Sequence, residues 1–367
     1  MSNITFRFRQ DSAGAWSSNN PVLAAGEIGV ELDSAGGVSP KFKIGNGILA
    51  WNDSSFNYFI NDSDQSALAG AGAGGGGGAI DWGGDRAVFA GGRNSSNTAI
   101  NTTDYVSIST TGNAIDFGDL TLARSMSSGV SNATRAVFGG GYSGSAYVNN
   151  IDYFTVATTS NATDFGDHTA GRCFQAPASN GTRGLFMGSN QGTQIDYITI
   201  ATASNAADFG DITTPFDAAY GGGCADATRA VRAGGGGPGI NVMDYVTIDT
   251  LSNATDFGDL TENRTKTLGA SSTTRGIFAG GGATNIKSID YITIQTTSNA
   301  SSFGNLSNIN KGHGAGGNAT TAIFASDYLS YTVGSETIVY ETLGDATSHG
   351  DLSVERKEAA VTAGSPS

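Results

Sequence analysis

Apolar residues along most of this chain fall into two short patterns that recur in a fixed order. Runs such as RAVFAGG (Arg86 to Gly92) are continuously apolar and closed by glycines, the pattern of a strand covered on both faces. Runs such as DYITI (Asp196 to Ile200) alternate and are rich in β-branched residues, which suits a pleated, half-buried strand. Between an alternating run and the next apolar run lie a Ser-Asn-Ala turn, a DFGD tetrad and a strand of small residues opened by Arg, as in RSMSSGV from Arg124. In the turn and tetrad, Asn and Gly are expected to take positive φ, and Asp to bond nearby amides. Each unit therefore predicts four short strands, and the chain an all-β fold.

The units are copies of one another. The acidic position of the alternating strand falls at Asp104, Asp152, Asp196, Asp244, Asp290 and Glu336. An aromatic position follows thirteen residues later, at Phe117, Phe165, Phe209, Phe257, Phe303 and, in the most diverged copy, His349. Six units of about 46 residues, each with four strands, are the signature of propeller blades around a ring. The register also predicts how the ring closes. The small strand opens with Arg seven residues after the aromatic, at Arg124, Arg172 and Arg264, but the first unit, starting at Arg86, has none before it. Seven residues after His349 comes Arg356, opening RKEAAVTAG. The C-terminal segment is expected to complete the first blade and so hide two sheet edges that would otherwise template aggregation.

Composition agrees with this pattern. Fifty-five glycines and only 14% charged residues disfavour long solvated helices, while 38% hydrophobic residues, including 18 Phe and 12 Tyr, can build a core. A net charge of −14 argues against nucleic acid or anionic lipid as a partner, and no apolar stretch is long enough for membrane insertion. The N-terminus lacks the basic-then-apolar layout of a signal peptide. Cys173 and Cys224 fall outside metal-ligand spacings and read as small core residues.

Catalytic residues must break the repeat, because a residue present in every blade normally serves every blade. The DFGD tetrads are read as structural caps rather than as kinase or calcium-loop fragments. Arg86, Arg135, Arg183, Arg229 and Arg275 recur too and are read as part-buried partners of blade Asp residues, with a basic ligand ring as the alternative. Arg232 stands where other units carry Phe89, Phe138, Phe186, Phe278 and Phe324, so it should reach water or meet a carboxylate. His168 and His313 lack a zinc-ligand pattern, and His349 fills an aromatic slot. Glu262, Glu341, Glu355 and Glu358 are the acids outside the register, and they are spread apart. No catalytic residue, metal site or cofactor is expected.

The order of apolar strand with Gly-Gly, Tyr strand, aromatic, then Arg before a small-residue strand resembles the kelch motif. The likeness covers roughly residues 80–367, with Phe, as at Phe165, where kelch repeats usually carry Trp. It implies a six-bladed kelch-like β-propeller over 80–367, but no chemistry.

Residues 1–66 differ. Alternation at Ile4–Phe8 and around Ile28 and Val30 predicts strands, with Gly45-Asn46-Gly47 as a turn. A domain this short is marginal alone, which points to oligomerisation. The segment LAAGEIGVELD (Leu23 to Asp33), followed by KFKIGNG (Lys41 to Gly47) and Trp51-Asn52, resembles the N-terminal domain of bacteriophage tail-fibre and tropism-determinant proteins. Gly26, Glu27, Phe42, Gly45, Gly47 and Trp51 carry the likeness. It implies a virion-attachment domain that docks on other tail or baseplate proteins and forms a homotrimer. Residues 67–79, rich in Gly and Ala, read as a flexible linker without the GK[ST] of a nucleotide loop.

Loop lengths locate the candidate binding surface. The spacing from apolar strand to acidic position runs 18, 17, 13, 15, 15 and 15 residues, whereas the spacing from acid to aromatic never varies. Variation is thus concentrated in loops that emerge on one face of the ring. Arg93, Asn94, Tyr142, Tyr147, Gln191, Gln194, Asn241, Asn285, Lys287, Tyr328 and Tyr331 lie there, a composition suited to adaptable contacts with sugars or protein. The expected protein is a virion component, a tail or baseplate fibre presenting its propeller to a host-surface glycan or protein. The alternatives are a structural virion protein whose propeller packs on other fibre proteins, and an enzyme degrading envelope polysaccharide.

Overall fold

Each apolar and alternating run of the six units forms a strand in the computed structural model, which describes residues 9–12, 28–32, 41–44, 84–213, 221–282, 286–307, 312–327 and 330–364. The chain divides into two compact units, Met1–Ala79 and Ile80–Ser367. In the first, strands Arg9–Ser12, Ile28–Leu32 and Lys41–Ile44 form one sheet. The middle strand runs parallel to the first and antiparallel to the third, with Val30 opposite Phe42. Gly26, Glu27, Gly45, Gly47, Trp51, the Ile4–Phe8 run and the 67–79 linker lie outside the described residues.

The second unit is a six-bladed β-propeller. Six four-stranded antiparallel sheets are present among the described residues. Blade 2 shows the plan: inner strand Ser128–Ser131, second strand Arg135–Gly139, third strand Asn150–Thr155 and outer strand Thr163–Asp167. The small-residue strands are innermost and neighbour one another around the axis. Gly223 shows why they are small: a Cβ there would sit 2.1 Å from the Pro177 carbonyl oxygen of the preceding blade. The second strands are buried on both faces, as their continuous apolar runs require. The core lies between blades; Val130, Val137 and Phe165 of blade 2, for example, pack against Phe186, Ile198 and Ile200 of blade 3.

Closure follows the sequence register. The C-terminal strand Ala360–Gly364 is the inner strand of blade 1, antiparallel to Arg86–Ala90, with Val361 opposite Phe89. Strands Thr102–Ser107 and Ile115–Asp119 complete that blade.

The tetrads and the recurring arginines do other work than their sequence suggests. DFGD forms the outer strand, interrupted by a bulge beside its glycine, and only its Phe is buried. The turn Asn is absent from the described non-glycine residues with positive φ. Its side chain instead reaches the preceding blade: Asn161 Oδ1 accepts from the Asp119 amide at 3.1 Å, and the Ala162 amide donates to the Asp119 carbonyl at 2.8 Å. The pair recurs around the ring, with Asp345 in place of the Asn in blade 6, and ends where Asn113 and Ala114 of blade 1 hold Asp351 of blade 6. Gly118 (φ 143°) lies against this latch, and a Cβ there would stand 2.2 Å from the Ser160 carbonyl oxygen. Gly118→Ala is therefore expected to cost about 2–4 kcal/mol, and Asn161→Ala only about 1 kcal/mol, since water can replace the exposed bond. Urea unfolding checks both.

Arg86, Arg135, Arg183, Arg229 and Arg275 are not the partners of the blade acids. Each guanidinium lies over the Tyr of its own blade, 4.2 to 4.8 Å from the ring centroid. Each also donates to a main-chain carbonyl of the next blade, as Arg135 does to Ile200 at 3.0 Å. A guanidinium with five donors and a flat face can stack and bond across a seam at once, which an Asp partner would have prevented.

Candidate functional site

Second-to-third-strand loops and the connectors between blades emerge on the same face of the ring, and the blade acids fix this face from below. Asp152 is fully buried and accepts from Arg124 at 2.8 Å and from the amide and hydroxyl of Thr121, all on the connector entering blade 2. Arg264 pairs with Asp290 at 2.9 Å, and Arg356 with Asp104. Burial pushes the Arg124, Arg264 and Arg356 guanidinium groups below their ordinary range, against the pull of their carboxylates. Asp196 takes a different set: His168 Nδ1 at 3.1 Å, the Thr169 hydroxyl, and Arg172 at 3.8 Å. Burial alone would raise Asp196, but the His168 hydrogen bond and Arg172 bring it below the usual carboxylate range. His168 is itself held down by burial and stands edge-on to Phe186, a neutral core imidazole. His349 likewise fills the aromatic slot and reaches the Ser107 carbonyl at 2.9 Å.

Blade 4 solves the same problem from another position. Arg232, buried in the second strand, places Nη1 3.4 Å from Asp244. Of the two outcomes the sequence allowed, it meets a carboxylate, and it does so as a core ion pair.

Above this frame, one sector of the loop face gathers side chains from blades 6, 1 and 2. Arg93 Nε lies 2.9 Å from Glu358 and donates to Ser125 Oγ at 3.1 Å, while its guanidinium carbon is 5.3 Å from the Tyr142 ring centroid. Tyr142 packs against Tyr147 at 5.4 Å between centroids, and Tyr147 is 46% exposed, the most open aromatic ring among the described residues. On the other side, Asn97 Oδ1 accepts from Arg93 at 3.4 Å and from the Tyr331 hydroxyl at 3.3 Å. Lys357 Nζ stands 4.8 Å over the Tyr331 ring. The main chain ties the sector down, because Arg93 and Lys357 exchange amide–carbonyl hydrogen bonds at 2.8 and 3.1 Å. Burial raises the Glu358 carboxyl above its ordinary range, opposed by Arg93.

Arg93, Tyr142, Tyr147 and Tyr331 of the sequence candidates thus converge. Asn94 instead organises its own loop, accepting from the Ser96 and Thr98 amides. Gln194 bridges Arg172 and Asp208, and Lys287 donates to the Ser307 carbonyl at 2.7 Å. Gln191 is exposed and Asn241 half-buried, both away from the cluster in blades 3 and 4. Asn285 and Tyr328 lie outside the described residues. Ser125 and Lys357 were missed because they sit on connectors, whose length hardly varies, and Glu358, noted as an acid outside the register, was not placed on this face for the same reason. The register that placed Arg356 on a connector could have found the last two. No metal-binding group of His, Cys, Asp or Glu occurs among the described residues.

Comparison with protein-family models and with curated proteins gives no match to this chain.

Proposed function

We propose that this chain is a tail-fibre or baseplate-fibre protein of a bacteriophage, attached to the virion by its N-terminal domain and presenting the propeller's loop face to a host-surface glycan or protein. The observation that carries the reading is the Tyr331–Asn97–Arg93–Tyr142–Tyr147 chain of contacts, which holds aromatic faces and hydrogen-bonding groups on one surface. Rigid aromatic side chains give contact area at low entropic cost, and stacking on Tyr147 with bonds to Asn97 suits a saccharide or a polar loop. The tail-fibre likeness of residues 23–52 supports the assignment to a virion, and homotrimerisation there would convert weak single sites into avid binding.

Fluorescently labelled full-length protein is expected to bind cells of the virion's bacterial host, and Tyr147→Ala to weaken binding at least about tenfold, the scale of a stacked anchor. Absence of binding by wild-type trimer would overturn the host-recognition reading in favour of packing on other fibre proteins.

A further inference from the structure

The blade 6 and blade 1 half of the loop-face sector holds more donors than its own acceptors use. Asn97 sits in a tight turn at φ 60°, its amide donating to the Asn94 carbonyl at 2.7 Å. Chemistry fixes how its side chain is turned. A guanidinium can only donate, so the atom that meets Arg93 at 3.4 Å must be Oδ1. The Tyr331 hydroxyl donates to the same oxygen at 3.3 Å. Nδ2 is thereby turned away from both and makes no hydrogen bond among the described residues. Asn97 is exposed, so these two N–H groups are open to a ligand.

Lys357 stands beside it. Its Nζ lies 4.8 Å over the ring of the same Tyr331, and main-chain bonds to Arg93 hold the segment that carries it. A ring face attracts an ammonium without satisfying its three donors. Lys357 forms no ion pair among the described residues. Two neighbouring carboxylates are buried instead: Glu358 beside Arg93, and Asp327, which bridges Lys357 through the main chain. A neutral donor and an uncompensated cation side by side suit a carboxylate, whose two oxygens can take one each in charge-assisted hydrogen bonds. A hydroxyl would bring a proton that needs an acceptor, whereas a carboxylate only accepts. The net charge of −14 does not oppose this at contact, because charges beyond about 8 Å are screened at physiological salt.

We propose that Asn97 Nδ2 and Lys357 Nζ form a subsite for the carboxylate of an acidic sugar, within an oligosaccharide whose neighbouring unit stacks on Tyr147. Arg93 and Tyr142 lie between the two points, so separate sugar units serve them. This rests on the glycan-binding form of the function proposed above and narrows it.

The test is calorimetric titration of the full-length protein with trisaccharides of galacturonic, glucuronic and mannuronic acid. Each is compared with its carboxyl-reduced form, which keeps the ring stereochemistry and loses the charge. At least one acidic trisaccharide is expected to bind at least about tenfold more tightly than its reduced form. The gap should narrow between about 20 and 300 mM NaCl, as salt screens a part-exposed charge pair. Asn97→Asp keeps the oxygen that Arg93 and Tyr331 meet, tolerates the left-handed backbone and replaces the donor by a like charge, so it should remove most of the gap. Lys357→Gln, which leaves the main-chain bonds to Arg93 in place, should weaken the acidic form about fivefold. Equal binding of acidic and reduced forms, no binding by any of them, or full binding by Asn97→Asp overturns the proposal. So does tighter binding of D-galactose 6-phosphate than of every acidic trisaccharide, which would give these donors to a phosphate. The wild-type comparison decides the matter even where a variant folds poorly. Adsorption to host cells that survives Asn97→Asp but not Tyr147→Ala overturns the subsite and leaves host recognition standing. Wild-type protein that binds an acidic trisaccharide but no host cell supports the subsite and overturns host recognition.

Discussion

Removing residues 356–367 is expected to abolish the stable ring, leaving protein that aggregates or melts at least about 10 °C below the full chain. The deletion acts three ways at once. It strips the inner strand from blade 1, exposing the edge of Arg86–Ala90 and the face of Phe89 that Val361 covers. It leaves Asp104, fully buried, without Arg356, and an ion stranded in this way costs about 3–5 kcal/mol by itself. It also unties the loop-face sector, because Arg93 loses both its main-chain partner Lys357 and its ion-pair partner Glu358. Differential scanning calorimetry with size-exclusion chromatography checks the outcome, and an unchanged melting temperature would refute closure by this strand. Val361→Asp, which keeps the chain length and buries a charge in the same seam, should destabilise in the same direction.

The second large effect is expected from Arg232→Phe, although it installs the residue found at that position in the other five blades. Phe fits the pattern of Phe138 or Phe278 but leaves Asp244 without a guanidinium, at a cost of about 3–5 kcal/mol. Two results separate this cause from misfit. The double variant Arg232→Met with Asp244→Asn should regain most of the loss, because neither member then remains charged. The deficit of the single variant should also shrink at low pH. Burial already raises the Asp244 carboxyl above its ordinary range, despite Thr213 and Arg232. For a group raised in the folded state, the associated stability is present in full below the unfolded pKa and is lost as pH rises through the folded value. Without Arg232 the raised range extends further upward, so the variant should approach the parent as acid neutralises Asp244. Urea midpoints across pH 4 to 8 would show this, and a pH-independent gap would point to packing instead.

Much of the architecture was legible because the repeat writes the same local preferences six times. Continuous apolar runs became doubly covered strands, alternating runs became third strands, and a register of seven residues located the closing strand at the far end of the chain. The candidate surface was legible only in part. Loop-length variation pointed to Arg93, Tyr142, Tyr147 and Tyr331, since insertions are tolerated where loops leave the ring. Asn94 and Gln194 share that composition yet spend their side chains on their own loops and connectors, and nothing in their residue type separates the two uses.

Local patterning thus dictated the strands, the number of blades and the mode of closure, because each depends on side-chain periodicity and turn chemistry within a few residues. Partner choice was decided only in three dimensions. Arg135 and Arg124 look alike in sequence, yet one stacks on Tyr153 and bonds the next blade, while the other neutralises Asp152. Arg232 takes the second role from a different strand, because Asp244 requires a nearby guanidinium and is indifferent to which segment supplies it. The turn Asn residues read as local turn formers and became latches between blades, since their acceptors face a strand about forty residues away in sequence. Periodicity records which face of a strand is buried, whereas electrostatic and hydrogen-bond partners are set by distances between segments that meet only when the ring has closed.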